Sequence, residues 1–98
     1  MRAIAKKTLI SFWRQYPDSE QPLRAWYEEV VVANWRTPNE IKAQYKNASV
    51  VGKNRVVFNV AGNKYCLIVA IAYQFGAIYI KFVGTHREYD KVDALTVG

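Results

Sequence analysis

His86, Tyr89 and Asp90 stand at i, i+3 and i+4, a spacing that puts them on one side of a helical turn. They directly follow a strand-like stretch, Ala77 to Val83, that carries Lys81. The chemistry open to such a set is cleavage of RNA by its own 2′-hydroxyl. That reaction needs a group to take the hydroxyl proton, a group to protonate the departing oxygen, and positive charge on the phosphate. An imidazole serves either proton role near neutral pH, so His86 is the candidate acid or base. Tyr89 can donate a proton or hydrogen bond, or stack on a base. Lys81, Arg55 and Arg87 are candidates to neutralise phosphate. Each residue also has a plainer reading. A single histidine in a small domain is more often a surface or capping residue, a tyrosine is more often core, and Asp90 can simply complement Arg87 or Lys91.

The elements that must position these groups are legible from periodicity. Leu9, Phe12, Trp13 and Tyr16 mark one face of a first helix that ends before Pro17. Leu23, Trp26, Tyr27, Val30 and Val31 repeat the pattern in a second helix, with Ser19 as N-cap and Pro22 in the first turn. Thr37-Pro38-Asn39-Glu40 has the form of a capping box and starts a short third helix through Tyr45. Alternation then takes over. Strands are expected over Arg55 to Val60, Tyr65 to Tyr73 and Ala77 to Val83, with turns at Gly62-Asn63 and Phe75-Gly76. A helical piece from Thr85 to about Ala94 follows. Trp13 and Trp26 lie on apolar stripes and belong to the core; Trp35, between Asn34 and Arg36, suits burial or stacking on a base.

Two-residue loops at both turns would fix the register. One face of the sheet then carries Val56, Phe58, Val60, Leu67, Val69, Ile71, Ile78, Ile80 and Phe82, the side for the helices to cover. The other carries Arg55, Val57, Asn59, Cys66, Ile68, Ala70, Ala72, Tyr79, Lys81 and Val83, a shallow basic surface with small residues at its centre. A one-residue longer second loop would put Lys81 on the core face, where its charge would be costly.

Composition bounds the rest. The chain has 98 residues, the size of one domain, and at 51% hydrophobic it can offset its ordering entropy. One cysteine excludes an internal disulfide, and one histidine with one cysteine argues against a structural zinc site. The net charge of +6 is not concentrated in a tail, with eight basic residues through Ser49 and six after it. It fits a polyanionic partner such as RNA, DNA or the ribosome. The apolar run after Lys7 is interrupted at Arg14, too short for a signal peptide or membrane span, so a cytoplasmic protein without membrane contact is expected. No Walker motif, dinucleotide fingerprint, serine elbow or zinc signature is present.

Several segments together resemble a known family. These are Asn54-Arg55-Val56-Val57-Phe58-Asn59-Val60, Gly62-Asn63-Lys64-Tyr65, Phe82-Val83-Gly84-Thr85-His86 and Glu88-Tyr89-Asp90. With Pro22-Leu23-Arg24-Ala25-Trp26-Tyr27 and Trp35-Arg36 upstream, the pattern is similar to HigB-type toxins of type II toxin–antitoxin systems, within the RelE/ParE-like superfamily. The resemblance spans nearly the whole chain, residues 1–98 as one RelE-like domain. It implies an α+β fold with N-terminal helices packed on an antiparallel sheet. It implies a metal-independent endoribonuclease, without cofactor, that cleaves mRNA in the ribosomal A site. Its partners would be the ribosome with its mRNA, a helix-turn-helix antitoxin of the HigA type, and operator DNA through the antitoxin complex. Carried over residue by residue, the active-site group is His86, Tyr89, Asp90 and Lys81, with Arg55, Arg87, Asn59 and position 66 toward the RNA.

Position 66 departs from the pattern. The family commonly has an arginine where this chain has Cys66. A guanidinium fork matches phosphate oxygens, and a neutral thiol does not. Losing one such contact is worth about 2–4 kcal/mol of transition-state stabilisation, or roughly 30- to 1000-fold in rate, so an attenuated enzyme is expected. Two other classes share the same features: a non-enzymatic ParE-like toxin that inhibits gyrase by binding it, and a basic module that binds RNA or DNA passively.

Overall fold

The computed structural model describes residues 1–98 as four α-helices and a five-stranded sheet, an α+β architecture. In chain order the elements are β1 (Arg2–Ile4), α1 (Lys6–Gln15), α2 (Glu20–Val32), α3 (Pro38–Gln44), β2 (Ser49–Val51), β3 (Arg55–Val60), β4 (Tyr65–Ala72), β5 (Ala77–Thr85) and α4 (His86–Tyr89). The sheet runs β1-β5-β4-β3-β2. Its neighbours are antiparallel except β1, which lies parallel to β5, so the sheet is mixed rather than wholly antiparallel. No helix is long and apolar enough to cross a membrane.

The helices bury the stripes expected of them. Leu9, Phe12 and Trp13 are buried on α1, Leu23, Trp26 and Val30 on α2, and Ile41 on α3. Their starts differ from expectation. Ser19 is itself buried in a short 3₁₀ turn, Pro17–Ser19, and its hydroxyl donates to Tyr16 O at 2.7 Å instead of capping α2. Thr37 precedes α3, but the Glu40 carboxylate accepts from Arg36 N and from Thr37 Oγ1, so the expected capping box does not close there.

One core joins these stripes to one face of the sheet, through Val56, Phe58, Val60, Tyr65, Leu67, Val69, Ile71 and Ile78. Trp26 meets Phe58 edge-on at 5.4 Å between centroids, and Trp35 stacks on the same ring at 6.2 Å. Trp35 is 4% exposed and donates Nε1 to Gln44 Oε1, so it is a core residue and not a platform for a base.

The first hairpin has the expected register. Val60 pairs with Tyr65 and Asn59 with Cys66. Gly62 and Asn63 both have positive φ, and Lys64 N donates to Ala61 O, as a two-residue type I′ connection requires. The second hairpin does not. A 3₁₀ turn, Tyr73–Phe75, and a left-handed Gly76 make a longer loop, and Ala72 pairs with Ala77. That moves the register by two residues, which leaves every side chain on its expected face. A bulge then moves it by one more. Val69 pairs with Ile80 but Ile68 pairs with Phe82, so Lys81 is the extra residue. Beyond the bulge the faces exchange. Phe82 joins Ile68 on the side away from the core, and Val83 packs against the core, the reverse of the sequence expectation.

Candidate active site

The bulge also places Gly84. It brings Gly84 opposite Cys66 on the face away from the helices, two residues before α4 begins. A side chain there would not fit: a Cβ would lie 2.6 Å from the Phe82 ring and 3.0 Å from Glu88 Oε1. Glycine lets α4 press back against the sheet. α4 is only four residues, shorter than the piece expected to reach Ala94, and cannot hold itself by propagation. Its start is secured instead by a closed capping box. Glu88 N donates to Thr85 Oγ1 at 3.2 Å, and Thr85 N donates to Glu88 Oε1 at 2.9 Å. The Thr-x-x-Glu signature was present in the sequence here as well as at Thr37, and only this copy forms the reciprocal pair.

Held this way, α4 turns His86 down onto the sheet. His86 Nε2 lies 3.3 Å from Cys66 Sγ. The thiol lies 3.2 Å from Asn59 Oδ1, across the β3–β4 pairing, and Asn59 Nδ2 donates to Asn47 O at 3.3 Å. The Tyr89 ring meets His86 in a T-shaped arrangement at 5.9 Å between centroids. Cys66 is fully buried beneath this group. Burial, and secondarily the Asp90 carboxylate, push its thiol up to about 11, so it is uncharged at neutral pH.

Of the eight residues singled out from the sequence, five converge here: Asn59, Cys66, His86, Tyr89 and Asp90. Lys81 sits at the bulge with its ammonium 5.9 Å from the Tyr79 ring centroid, on the side that Tyr79 shares with Ala70. Arg55 is engaged elsewhere. Its Nη1 donates to Ala94 O at 3.1 Å and to Val97 O at 2.6 Å. Arg87 is exposed and bonded to nothing. Nowhere do three or more His, Cys, Asp or Glu side chains converge as metal ligands would.

The segment after α4 was not anticipated as part of this face. Leu95 approaches Gly52, residues Ala94 and Val97 hold Arg55, and any side chain at position 98 would collide with Lys81. The basic surface is therefore narrower than alternation suggested, and the centre of that face is closed: Val57, Cys66 and Ile68 are all buried. No periodic signal marks residues 93–97, because backbone carbonyls do the holding and any sequence supplies them.

The arrangement sets two groups able to exchange protons, His86 and Tyr89, against each other over Cys66, with Lys81 and Arg55 farther along the same sheet. Comparison with known proteins supplies the family. The chain is 29% identical over 93 residues to the mRNA interferase toxin HigB of Escherichia coli strain K12, covering 92% of this chain and 88% of the relative. It is equally similar to the mRNA interferase HigB of Shigella flexneri. With the mRNA interferase HigB of Escherichia coli O6:H1 it shares 27% identity over 94% of this chain and 91% of the relative. Residues 19–92, from the start of α2 to just beyond α4, match the HigB_toxin family model, so the chain belongs to that family, the RelE-like toxic component of a toxin–antitoxin system.

Proposed function

We propose that this protein is an endoribonuclease toxin of the cytoplasm that cuts mRNA while it is being translated. In this reading a helix-turn-helix antitoxin neutralises it, and the antitoxin complex binds operator DNA. The observation that carries the reading is the single histidine folded onto the basic sheet face, with Tyr89 against its edge and Nε2 on Cys66. The names of the relatives, each an mRNA interferase, point the same way.

The reaction requires only side chains. The 2′-oxygen attacks phosphorus as His86 takes its proton. The bond from phosphorus to the 5′-oxygen breaks, and Tyr89 supplies the proton that oxygen needs. The products are a 2′,3′-cyclic phosphate and a 5′-hydroxyl. Lys81 stabilises the charge that develops on the phosphate, and Arg55 contributes its field while its Nη1 is held by the chain. Asp90 and Arg87 flank the site, and Asn59 shapes its floor through Cys66. A site with so few catalytic groups gains from a substrate held in place, which the ribosome supplies. Cys66 leaves the phosphate without a guanidinium and attenuates the enzyme. Incubating the purified protein with free mRNA and with mRNA on translating ribosomes tests the reading: cuts are expected only in the second, and inhibition of gyrase without cuts in either would overturn it.

A further inference from the structure

Cys66, Asn59 and His86 form a chain of polar groups whose direction can be worked out from its far end. Asn59 Nδ2 faces the carbonyl of Asn47 at 3.3 Å, which only the amide NH₂ can satisfy. That turns Asn59 Oδ1, an acceptor only, toward Cys66 Sγ at 3.2 Å. The fully buried thiol is neutral and has one proton to give. Asn59 Oδ1 takes it. The sulfur then faces His86 Nε2, 3.3 Å away, with lone pairs and no second proton. For that contact to be attractive, Nε2 must carry hydrogen. The other ring nitrogen, Nδ1, has no hydrogen-bond partner in the protein and is not sealed from solvent.

We propose that Cys66 is a positioning residue that fixes the tautomer of His86, holding its proton on Nε2 and leaving Nδ1 as the nitrogen that exchanges protons with RNA. The inference rests on the nuclease reading for what Nδ1 does, and on geometry alone for which nitrogen is protonated. It reassigns the role of position 66. In place of a charged group aimed at phosphate, the chain has a buried relay that orients the histidine. In the neutral ring Nδ1 is the base; in the imidazolium it is the acid, and Nε2–H stays on sulfur in both.

The protein contains one histidine, so untagged protein labelled with ¹⁵N-histidine gives an unambiguous ring spectrum. At a pH where His86 is neutral, a pyrrole-like Nε2, a pyridine-like Nδ1 and a slowly exchanging Hε2 are expected. Cys66→Ala removes the acceptor and should speed Hε2 exchange by roughly tenfold, with a mixed tautomer; Cys66→Ser, whose hydroxyl can also accept and donate, should restore protection. An Nδ1–H tautomer in the unsubstituted protein, or Hε2 protection unchanged in Cys66→Ala, overturns the proposal. Should Cys66→Ala fail to fold, the tautomer of the unsubstituted protein and the Cys66→Ser spectrum decide it. The nuclease reading is judged separately. The expected tautomer in a protein that cuts no mRNA supports the positioning and removes the nuclease, whereas the opposite tautomer in an active nuclease removes the positioning alone.

Discussion

Arg55 reaches 42 residues along the chain to donate Nη1 to the carbonyl of Val97 at 2.6 Å, and to that of Ala94 at 3.1 Å. One guanidinium therefore fixes the segment after α4 across the face that carries His86. Hydrogen bonds from a charged donor contribute about 1.5–3 kcal/mol each, with the lower end apt for partly exposed groups. Arg55→Ala is expected to raise amide exchange at Thr96 and Val97 by about tenfold or more while exchange in β4 is unchanged. Equal exchange at those two amides would show that the segment is held by something other than Arg55.

At position 66 a substitution is expected to raise activity. A guanidinium on the phosphate is worth about 2–4 kcal/mol, and the neutral thiol bond to His86 that would be lost is worth about 1 kcal/mol. The charged contact wins. Cys66→Arg should raise single-turnover cleavage of ribosome-bound mRNA by roughly 5- to 150-fold. His86 must swing off the floor to admit the longer side chain, because Cys66 is fully buried. A variant that folds and cuts no faster would sink the view that this cysteine attenuates the enzyme.

The capping box is a separable device. Thr85→Ala removes the acceptor for Glu88 N, at a cost of about 0.5–2 kcal/mol. Because α4 packs on one face of the sheet and not in the core, the melting temperature should fall by only a few degrees. Cleavage should fall further than stability does, since His86 and Tyr89 both ride on α4. A proportionate loss of the two would mean that α4 is held mainly by its packing.

Much of this was legible in the residues, and the failures have physical causes. Helix stripes such as Leu9-Phe12-Trp13 and the Gly62-Asn63 turn follow from local periodicity and positive φ, which short windows capture. The bulge at Lys81 does not, because it depends on how two whole strands settle against each other. Its effect was to exchange Phe82 and Val83 between faces. β1 and β2 escaped notice since three residues cannot show a period. Thr37 and Thr85 carry the same cap signature, and tertiary context selects the second. In the site, residue types were readable, but the contact of His86 with Cys66 required knowing that α4 folds back.

Acid should weaken the link between the turn before α2 and β4. The Asp18 carboxylate accepts from Lys64 and, at 2.5 Å, from Tyr65 Oη. The Lys64 bond, then the Tyr65 bond, hold its carboxyl below the ordinary value of 3.8. The unfolded chain thus takes up this proton at higher pH than the folded one. The stability gained is fully present above the unfolded value and is lost as pH falls through the lower folded value. Asp18→Asn should be less stable than the unsubstituted protein at neutral pH, and the difference should shrink below about pH 4. A constant difference across that range, measured by urea unfolding, would show that Asp18 contributes through shape and not charge.

Mapping mRNA 5′ ends in growing cells after induction shows whether His86 and Tyr89 cut mRNA on the ribosome. New ends are expected within reading frames, at positions related to the codon, and absent from untranslated regions. They should be about 10²- to 10⁴-fold rarer with His86→Ala or Tyr89→Phe. Growth arrest without new ends, or undiminished ends in both variants, would contradict that role.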